Sequence, residues 1–205
     1  MKTYPSIPQS KGQKFRSIPG AIIFDKLDGS NLRFEWSRKS GWTKYGTRTQ
    51  LFDESHIVFA PAISLFYTQW AVELEEIAKK QRWEKITAFF EFWGKSSFAG
   101  WHDLTEEKNL TLIDISVYKL GIIGPRKFLK LFGDLEIPTV LDECNWTRDY
   151  IQKVWDEEVE GITFEGVVAK AGDGHDLVMA KAKTKSWVEK VKAQYGDKAQ
   201  AIIDS

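Results

Sequence analysis

The sequence predicts an α+β fold in which antiparallel sheets carry flanking helices. Three observations support this prediction. Short apolar or alternating runs recur along the chain, the segment 62–82 changes to helical spacing, and the runs 163–170 and 176–183 flank a Gly/Asp turn typical of a hairpin. The chain has 205 residues, 42% of them hydrophobic, which is enough to bury a substantial core. No internal repeat or linker is evident, so we expect a single domain over 1–205.

Composition narrows the class of protein. The 29 Lys and Arg residues balance the 29 Asp and Glu residues, so no overall field draws the chain to nucleic acid or to a membrane. The single cysteine, Cys144, excludes an internal disulfide and suits a reducing compartment. There is no apolar core of a signal peptide near the start and no run of eighteen apolar residues. We therefore expect a soluble, cytoplasmic protein without a membrane partner.

The first half of the chain begins with a polar, proline-containing lead-in (residues 1–20), which we expect to be irregular. Strands are predicted at about 21–27 and 31–37, the second because apolar and polar residues alternate. Apolar residues at helical spacing then predict one helix over about 62–82, and the β-prone run 86–94 predicts a further strand.

The second half alternates between short elements. Residues 95–108 are rich in Ser, Gly and charge and predict a surface loop, and 110–118 predicts a strand. Short helices are expected over 125–132 and 147–159, with an extended piece near 139–141 between them.

The end of the chain predicts one more helix. Ser186 and Glu189 have the spacing of a capping box, in which each side chain binds a backbone N–H of the first turn. The helix that they open is expected to end near Tyr195.

Lys26 and Asp28 form the first candidate site. They follow the apolar run 21–24 and are two residues apart, so in an extended backbone both side chains point to one face. Gly29 then allows a turn or the close approach of a ligand. Taken alone, this pattern is also that of a solvated ion pair at the end of a hairpin strand.

Other polar residues stand on apolar strands or at their ends. Glu91 lies among aromatic residues, and a buried carboxylate requires either a protein donor or a ligand hydroxyl as its partner. Arg48 taken alone is an ordinary loop arginine. The full set is Lys26, Asp28, Asn31, Arg48, Glu91, Glu165, Lys170, Lys181 and Lys183. If these side chains converge, the groove suits a polyphosphate, a metal and a ribose.

The amines predict a chemistry for such a groove. A lysine surrounded by other cations has a lowered pKa, and we expect this of Lys26, which would make the neutral nucleophile accessible. Lys181 and Lys183 are two apart on one strand face, where they can neutralise the charge that develops during phosphoryl transfer. The product would be a lysine–nucleotide phosphoramidate.

The order of these motifs resembles that of the covalent nucleotidyltransferases, which include polynucleotide ligases and mRNA-capping guanylyltransferases. The resemblance spans about residues 21–190 and rests on Lys26-Leu27-Asp28-Gly29, Phe90-Glu91-Phe92-Trp93-Gly94, Ile113-Asp114-Ile115, Glu165-Gly166-Val167-Val168-Ala169-Lys170 and Lys181-Ala182-Lys183. It implies an ATP-grasp-like nucleotidyltransferase domain with a nucleotide-binding groove.

Within this superfamily, the residue five positions after the nucleophilic lysine separates the branches. DNA ligases and capping enzymes usually carry arginine there. Asn31 of this chain resembles instead the RNA ligases of the phage nick-sealing type. The segments 47–49 and 181–189 also resemble that group. The resemblance therefore implies an ATP-dependent RNA ligase that adenylates itself and transfers AMP to an RNA end with a 5′-phosphate.

The resemblance also implies roles for individual residues. Lys26, assisted by Asp28, would carry AMP, and Glu165 would act on Mg²⁺ or Mn²⁺. Asn31, Arg48 and Glu91 would hold the ribose or phosphate. The cations Lys170, Lys181 and Lys183 would grip phosphates, and Val168 would contact one face of adenine.

Two features depart from the pattern of this family. Ile113 stands where the family commonly has an aromatic residue that stacks on the base, so we expect weaker stacking and a less certain choice of base. The chain also ends about 22 residues after Lys183, without the C-terminal OB or helical domain of most ligases. Either it is a minimal ligase, or a partner protein supplies that domain.

Without that domain, RNA affinity would depend on a local basic patch. We expect this patch to comprise Lys181, Lys183, Lys185, Lys190 and Lys192.

Two other functions remain open at the level of sequence. A GTP-dependent capping-type guanylyltransferase or a DNA ligase would share most of the motifs, although Asn31 disfavours both. A non-catalytic module that binds nucleotides or RNA ends would share the fold.

Overall fold

The computed structural model describes residues 1–9, 15–95 and 105–204, and it confirms the predicted α+β class with antiparallel sheets. The described strands are β1 (Ile18–Lys26), β2 (Ser30–Ser37), β3 (Gly41–Thr47), β4 (Leu51–Phe52), β5 (Lys85–Trp93), β6 (Asn109–Val117), β7 (Gly121–Ile122), β8 (Val140–Trp146), β9 (Gly166–Ala171) and β10 (Val178–Lys183). The described α-helices are α1 (Ala60–Gln69), α2 (Ala71–Lys80), α3 (Pro125–Phe132), α4 (Arg148–Trp155), α5 (Lys185–Tyr195) and α6 (Ala199–Asp204).

The strands form two sheets that differ in size. The smaller sheet has the order β10-β9-β1-β8, and the larger has the order β4-β3-β2-β5-β6-β7. The pairs β1–β9 and β9–β10 place Lys26 and Lys183 each opposite Gly166. The ends of these strands therefore meet at one place.

Alternation along the larger sheet separates an apolar face from a polar one. The apolar face, with Phe34, Phe90 and Leu112, packs against α1, α2 and α3 and holds the main core. The other face carries Arg33, Glu35, Thr87 and Asp114. Because this polar face cannot join the core, it is available to line a groove.

The segment 62–82 forms two helices and not the one that was predicted. α1 ends at Gln69 and α2 begins at Ala71, with Trp70 between them at φ −126°. The Trp70 indole is buried and donates to the Leu110 carbonyl at 2.9 Å. This hydrogen bond to β6 lies where α1 ends and α2 begins, and the helical spacing of the apolar residues gives no sign of it.

The capping box predicted at Ser186 and Glu189 is wrong. Thr184 is the N-cap of α5, and its hydroxyl accepts from the Trp187 N–H, while the Ser186 N–H donates to Glu157. A threonine at the end of a strand turns the chain directly into the helix, so the cap lies two residues earlier than expected.

The ends of the chain and the central loop also differ from expectation. In the described residues 1–9 of the lead-in, Tyr4 and Ile7 pack with Phe89 of β5 and Val168 of β9, and Gln9 forms a bridge with Lys181. A short 3₁₀ turn, Gly196–Lys198, and α6 follow the helix that was predicted to end the chain. The loop expected over 95–108 lies largely outside the described residues. None of the described helices is long and apolar enough to cross a membrane.

Candidate nucleotide-binding site

A groove with a cavity of about 360 Å³ opens between the two sheets. It contains every residue that the sequence singled out: Lys26, Asp28, Asn31, Arg48, Glu91, Ile113, Glu165, Val168, Lys170, Lys181 and Lys183. The smaller sheet contributes the lysines at the ends of β1 and β10, and the larger sheet contributes side chains of β2, β5 and β6. We call this cavity the main groove.

Two glycines allow the strands of the main groove to approach closely. A Cβ on Gly166 would overlap the carbonyl oxygen of Ala182, so only glycine permits this contact between β9 and β10. A Cβ on Gly29 would lie 2.6 Å from the Phe92 carbonyl oxygen, which brings the Asp28 turn against the end of β5. Both glycines belong to the motifs that the sequence analysis singled out.

Glu165 lies at the centre of the charged end of the main groove. Its Oε2 accepts from Lys26 Nζ at 2.6 Å, and its Oε1 pairs with Lys183 Nζ at 2.8 Å. Backbone hydrogen bonds connect the same segments, since the Glu165 N–H donates to the Lys26 carbonyl and the Thr184 N–H donates to the Glu165 carbonyl. One buried carboxylate therefore fixes two lysines.

The pKa of Lys26 is raised, which corrects the expectation that neighbouring cations lower it. Burial lowers the pKa of this amine, but Glu165, Glu91 and Asp28 together raise it more. The surroundings of Lys26 are thus dominated by carboxylates, and the resting amine is protonated.

Two of these carboxylates hold protons unusually tightly. Burial and the nearby charge of Glu165 raise the pKa of Asp28 to about 7, against the opposing effects of Lys26, Trp187 and Lys183. Burial also raises the pKa of Glu91 to about 7, although Lys26 opposes this rise. Both groups are therefore poised to exchange protons near neutral pH.

The two lysines whose pKa values are lowered, Lys181 and Lys183, both lie on β10. Burial, helped by Lys183 and Lys26, lowers the pKa of Lys181 to about 7, and burial also lowers that of Lys183. Among the described residues, the ammonium of Lys181 has no ion-pair partner, whereas Lys183 pairs with Glu165. Lys181 is thus the cation that an incoming anion would neutralise.

Part of the lining of the main groove is apolar. Ile113 and Val168 line it together with Tyr4, Ile7 and Phe24. An apolar slot joined to a cluster of charges has the polarity that a nucleotide requires, with its base at one end and its phosphates at the other.

Lys170 lines the main groove and is held by β6 of the larger sheet. Its ammonium donates to Asp114 Oδ2 at 2.7 Å and to the Ile113 carbonyl at 2.9 Å, and it is buried. Two of its three N–H donors are therefore bound to β6, which leaves at most one for a ligand.

Asn31 and Arg48 approach the main groove from the larger sheet. Asn31 lies opposite Glu91 in the pairing of β2 and β5, and its Oδ1 is buried without a hydrogen-bond partner among the described residues. Arg48 is exposed at the rim and lowers the pKa of both Glu91 and Lys181. The unpaired acceptor of Asn31 and the exposed guanidinium of Arg48, which has no ion pair with another described residue, are suited to ribose hydroxyls and phosphates.

Tyr4 is the principal residue that the sequence analysis missed. Its hydroxyl donates to Asp114 Oδ2, the oxygen that also binds Lys170, and its ring packs 5.0 Å from that of Phe89. Arg33 holds the preceding residues by donating to the Lys2 carbonyl and to Thr3 Oγ1. No periodicity marks Tyr4, because the lead-in is not a strand or helix.

Trp187 and Ile202 also line the groove and were not expected there. Lys183 Nζ lies 4.1 Å from the centre of the Trp187 ring and donates to the Ile202 carbonyl at 3.5 Å. α5 and α6 therefore close the main groove beside Lys183.

The main groove fits a divalent cation that is shared with phosphate. No group of three or more His, Cys, Asp or Glu residues in the described part of the chain is arranged to hold a metal by itself. Mg²⁺ commonly binds one or two carboxylates and completes its shell with phosphates and water. Asp28 Oδ2 is buried and has no hydrogen-bond partner among the described residues, and Glu165 lies nearby.

No protein-family model and no curated protein matches this sequence. The fold is similar to solved structures of Naegleria gruberi RNA ligase. A variant with ATP and Mn aligns at a TM-score of 0.59 and 18% identity, over 84% of this chain and 52% of that one. A variant with AMP and Mn aligns at a TM-score of 0.60 and 16% identity, over 83% and 51%.

A third structure of that ligase, with PPi, aligns at a TM-score of 0.59 and 16% identity, over 84% of this chain and 52% of that one. The chain thus spans about half the length of these ligases. The likeness confirms the predicted fold, that of the nucleotidyltransferase domain of RNA ligases.

Proposed function

We propose that this chain is an ATP-dependent RNA ligase-like enzyme that forms a covalent lysyl-AMP at Lys26 and transfers the AMP to RNA with a 5′-phosphate. The observation that carries the proposal is the position of Lys26. Its amine lies 2.6 Å from Glu165, in the same groove as Lys181 and Lys183 and beside an apolar slot. A nucleophile, two phosphate-binding cations and a base site are the components that the reaction needs.

The polarity of the main groove orients the nucleotide. The base would lie between Ile113 and Val168, and the phosphates would lie toward Lys181 and Lys183. Asn31, Arg48 and Glu91 then have the position to bind the ribose and the α-phosphate. Glu165 would hold the cation together with Asp28. When bound, Mg²⁺ or Mn²⁺ supplies positive charge that draws electron density from the phosphate oxygens and from the carboxylates.

Lys26 must lose a proton before it attacks. Glu165, Asp28 and Glu91 hold the ammonium form, so any loss of their negative charge favours the neutral amine. The lone pair on Lys26 Nζ then forms a bond to the α-phosphorus, and the bond to the leaving pyrophosphate breaks. Lys181 and Lys183 stabilise the negative charge that gathers on that leaving group. Attack by a 5′-phosphate oxygen on lysyl-AMP would restore the amine and give adenylated RNA.

The surface available to RNA is smaller than the sequence suggested. Lys181 and Lys183 are buried and face the main groove, so they cannot belong to the basic patch expected on the surface. Lys185 and Lys192 remain exposed on α5. We therefore propose that an RNA contact outside this patch, or a partner protein that supplies a further domain, is needed for efficient joining.

The experiment is incubation with ATP or GTP labelled on the α-phosphate, together with Mg²⁺ or Mn²⁺, followed by denaturing electrophoresis. We expect acid-labile label from ATP in the wild type and none in Lys26→Arg. The matched control is Lys80→Ala, since Lys80 is exposed on α2 and lies away from the main groove. Label from GTP alone would support a capping-type enzyme, and no label from either would support a binding module.

A further inference from the structure

A second cavity of about 350 Å³ opens on the polar face of the larger sheet. We call it the distal cavity. Strands β2, β5 and β6, the turn before β7 and the start of the lead-in line it, and it shares no lining residue with the main groove. It therefore cannot be an extension of the nucleotide site.

The distal cavity is locally basic in a chain of zero formal net charge. Lys2, Lys85 and Lys119 line it, and Glu35 is the only carboxylate among its described lining residues. Glu35 is buried and already paired, since Lys85 Nζ lies 2.9 Å from it and Lys44 Nζ 3.4 Å from it. The carboxylate is thus more than neutralised, and the remaining positive charge is available to an anion.

An exposed aromatic ring stands at the edge of the distal cavity. Tyr118 is 59% exposed and follows the last residue of β6, in the turn that leads to β7. Its backbone N–H donates to the Lys85 carbonyl at 3.0 Å, which fixes the backbone of Tyr118 beside that of Lys85. Lys119 Nζ lies 5.4 Å from the centre of the ring, and Lys119 holds a left-handed backbone at φ 67°. The turn after β6 therefore holds an aromatic ring and one cation together, and Lys85 at the start of β5 is a second cation in the lining of the cavity.

The floor of the cavity carries hydroxyl groups. Thr87 and Ser116 lie opposite each other in the pairing of β5 and β6, and Thr87 also lies opposite Glu35 in the pairing with β2. Both residues line the cavity. Hydroxyls can donate to a phosphate or base and accept from it as well.

We propose that the distal cavity binds one nucleotide unit of single-stranded nucleic acid, with the base stacked on Tyr118 and the phosphate beside Lys119 and Lys85. Aromatic side chains beside cations are the general means by which proteins bind single strands without reading sequence. The cavity volume admits one unstacked nucleotide and not a duplex. The site requires no covalent step, so it stands whether or not Lys26 carries AMP.

The test is fluorescence anisotropy at low salt with a labelled ten-nucleotide RNA that carries no 5′-phosphate. We expect Tyr118→Ala to raise the Kd about fivefold or more, and Tyr118→Trp to retain the binding of the wild type. Lys119→Ala should weaken binding and reduce the slope of log Kd against log salt by about one. Tyr67→Ala and Lys80→Ala, which remove an exposed tyrosine and lysine elsewhere, should leave the Kd unchanged.

Competition measurements with the same labelled RNA identify the ligand. A single-stranded DNA of the same length should compete with the RNA, and free UMP should compete at higher concentration, whereas a blunt RNA duplex should compete poorly. Self-adenylylation is measured on the same variants, and Tyr118→Ala should keep the rate of the wild type, so that loss of RNA binding is separated from failure of the covalent chemistry. The proposal is overturned if the wild type does not bind the strand, if Tyr118→Ala binds it like the wild type, or if the blunt duplex competes as well as the single strand.

Discussion

Lys26 Nζ and Glu165 Oε2 lie 2.6 Å apart although 139 residues separate them in the sequence. The contact exists because β1 pairs with β9 and places Lys26 opposite Gly166, the residue that follows the carboxylate. The proposed nucleophile is thus held as an ammonium ion by the carboxylate that we propose as a metal ligand. Activation of the amine and binding of the cation are therefore linked through one side chain.

The first prediction concerns this pair. Glu165→Gln removes the largest of the effects that raise the pKa of Lys26, so the pKa of Lys26 should fall. The measurement is the pH titration of Lys26 by NMR after ¹³C-methylation of the lysines, with Lys26→Arg to assign the signal. Glu91→Gln should lower this pKa less. An unchanged titration in Glu165→Gln would show that the ion pair does not control the amine.

The second prediction concerns the stability of the nucleotide-free protein against pH. The pKa of Asp28 rises to about 7 in the folded state, so the folded protein binds this proton more tightly than the unfolded chain. Stability should therefore fall as the pH rises from about 4 to 7. Asp28→Asn removes the buried charge, and it should stabilise the protein at pH 8 by about 1 to 4 kcal/mol more than at pH 5.

Urea unfolding of the two proteins at both pH values measures this difference. Asp53→Asn is the control, because Asp53 is exposed and lies outside the main groove. An equal effect of Asp28→Asn at pH 5 and pH 8 would mean that the carboxyl is ionised throughout this range.

The third prediction separates two neighbouring lysines. Lys181→Ala and Lys183→Ala should each slow self-adenylylation tenfold or more, a loss of about 1.4 kcal/mol of transition-state stabilisation, because each removes a cation from the phosphates. Only Lys183→Ala should also lower the Tm, since Lys183 pairs with buried Glu165 at 2.8 Å. Rates equal to that of the wild type would place the phosphates elsewhere.

The fourth prediction concerns the lead-in. Tyr4→Phe removes the hydroxyl that donates to Asp114 and leaves the ring packed against Phe89. This contact shapes the part of the groove in which we propose that the base binds. The KM for ATP should therefore rise about threefold to tenfold with little change in kcat, because the lost contact stabilises the bound substrate and the transition state equally. Tyr67→Phe is the control. A fall in kcat at constant KM would place Tyr4 at the reacting phosphate instead.

Much of the main groove could be predicted because its residues break a simple pattern. Lys26, Glu91 and Lys181 are polar residues on otherwise apolar strands, and such positions stand out in a sequence. The structure brings their side chains to one groove. The ion pair of Lys170 could not be predicted. Its partner, Asp114, lies on a strand 56 residues earlier in the sequence, and only the folded structure brings the two side chains together.

The remaining differences have the same physical origin. The pKa of Lys26 depends on distances to carboxylates that approach only after the sheets form, so its direction was wrong at the level of sequence. The role of Tyr4 depends on a segment without periodicity, and the break at Trp70 depends on a hydrogen bond to the sheet. Local patterns therefore located the elements and the chemical groups, whereas tertiary contacts set their charge states.

Attachment of AMP to Lys26 is measured most directly by peptide mapping with mass spectrometry after incubation with ATP and Mg²⁺. We expect one adduct of the mass of AMP on the peptide that contains Lys26, and none when Lys26→Arg is treated in the same way. An AMP adduct on a different lysine, or none on a protein that binds ATP, would contradict it.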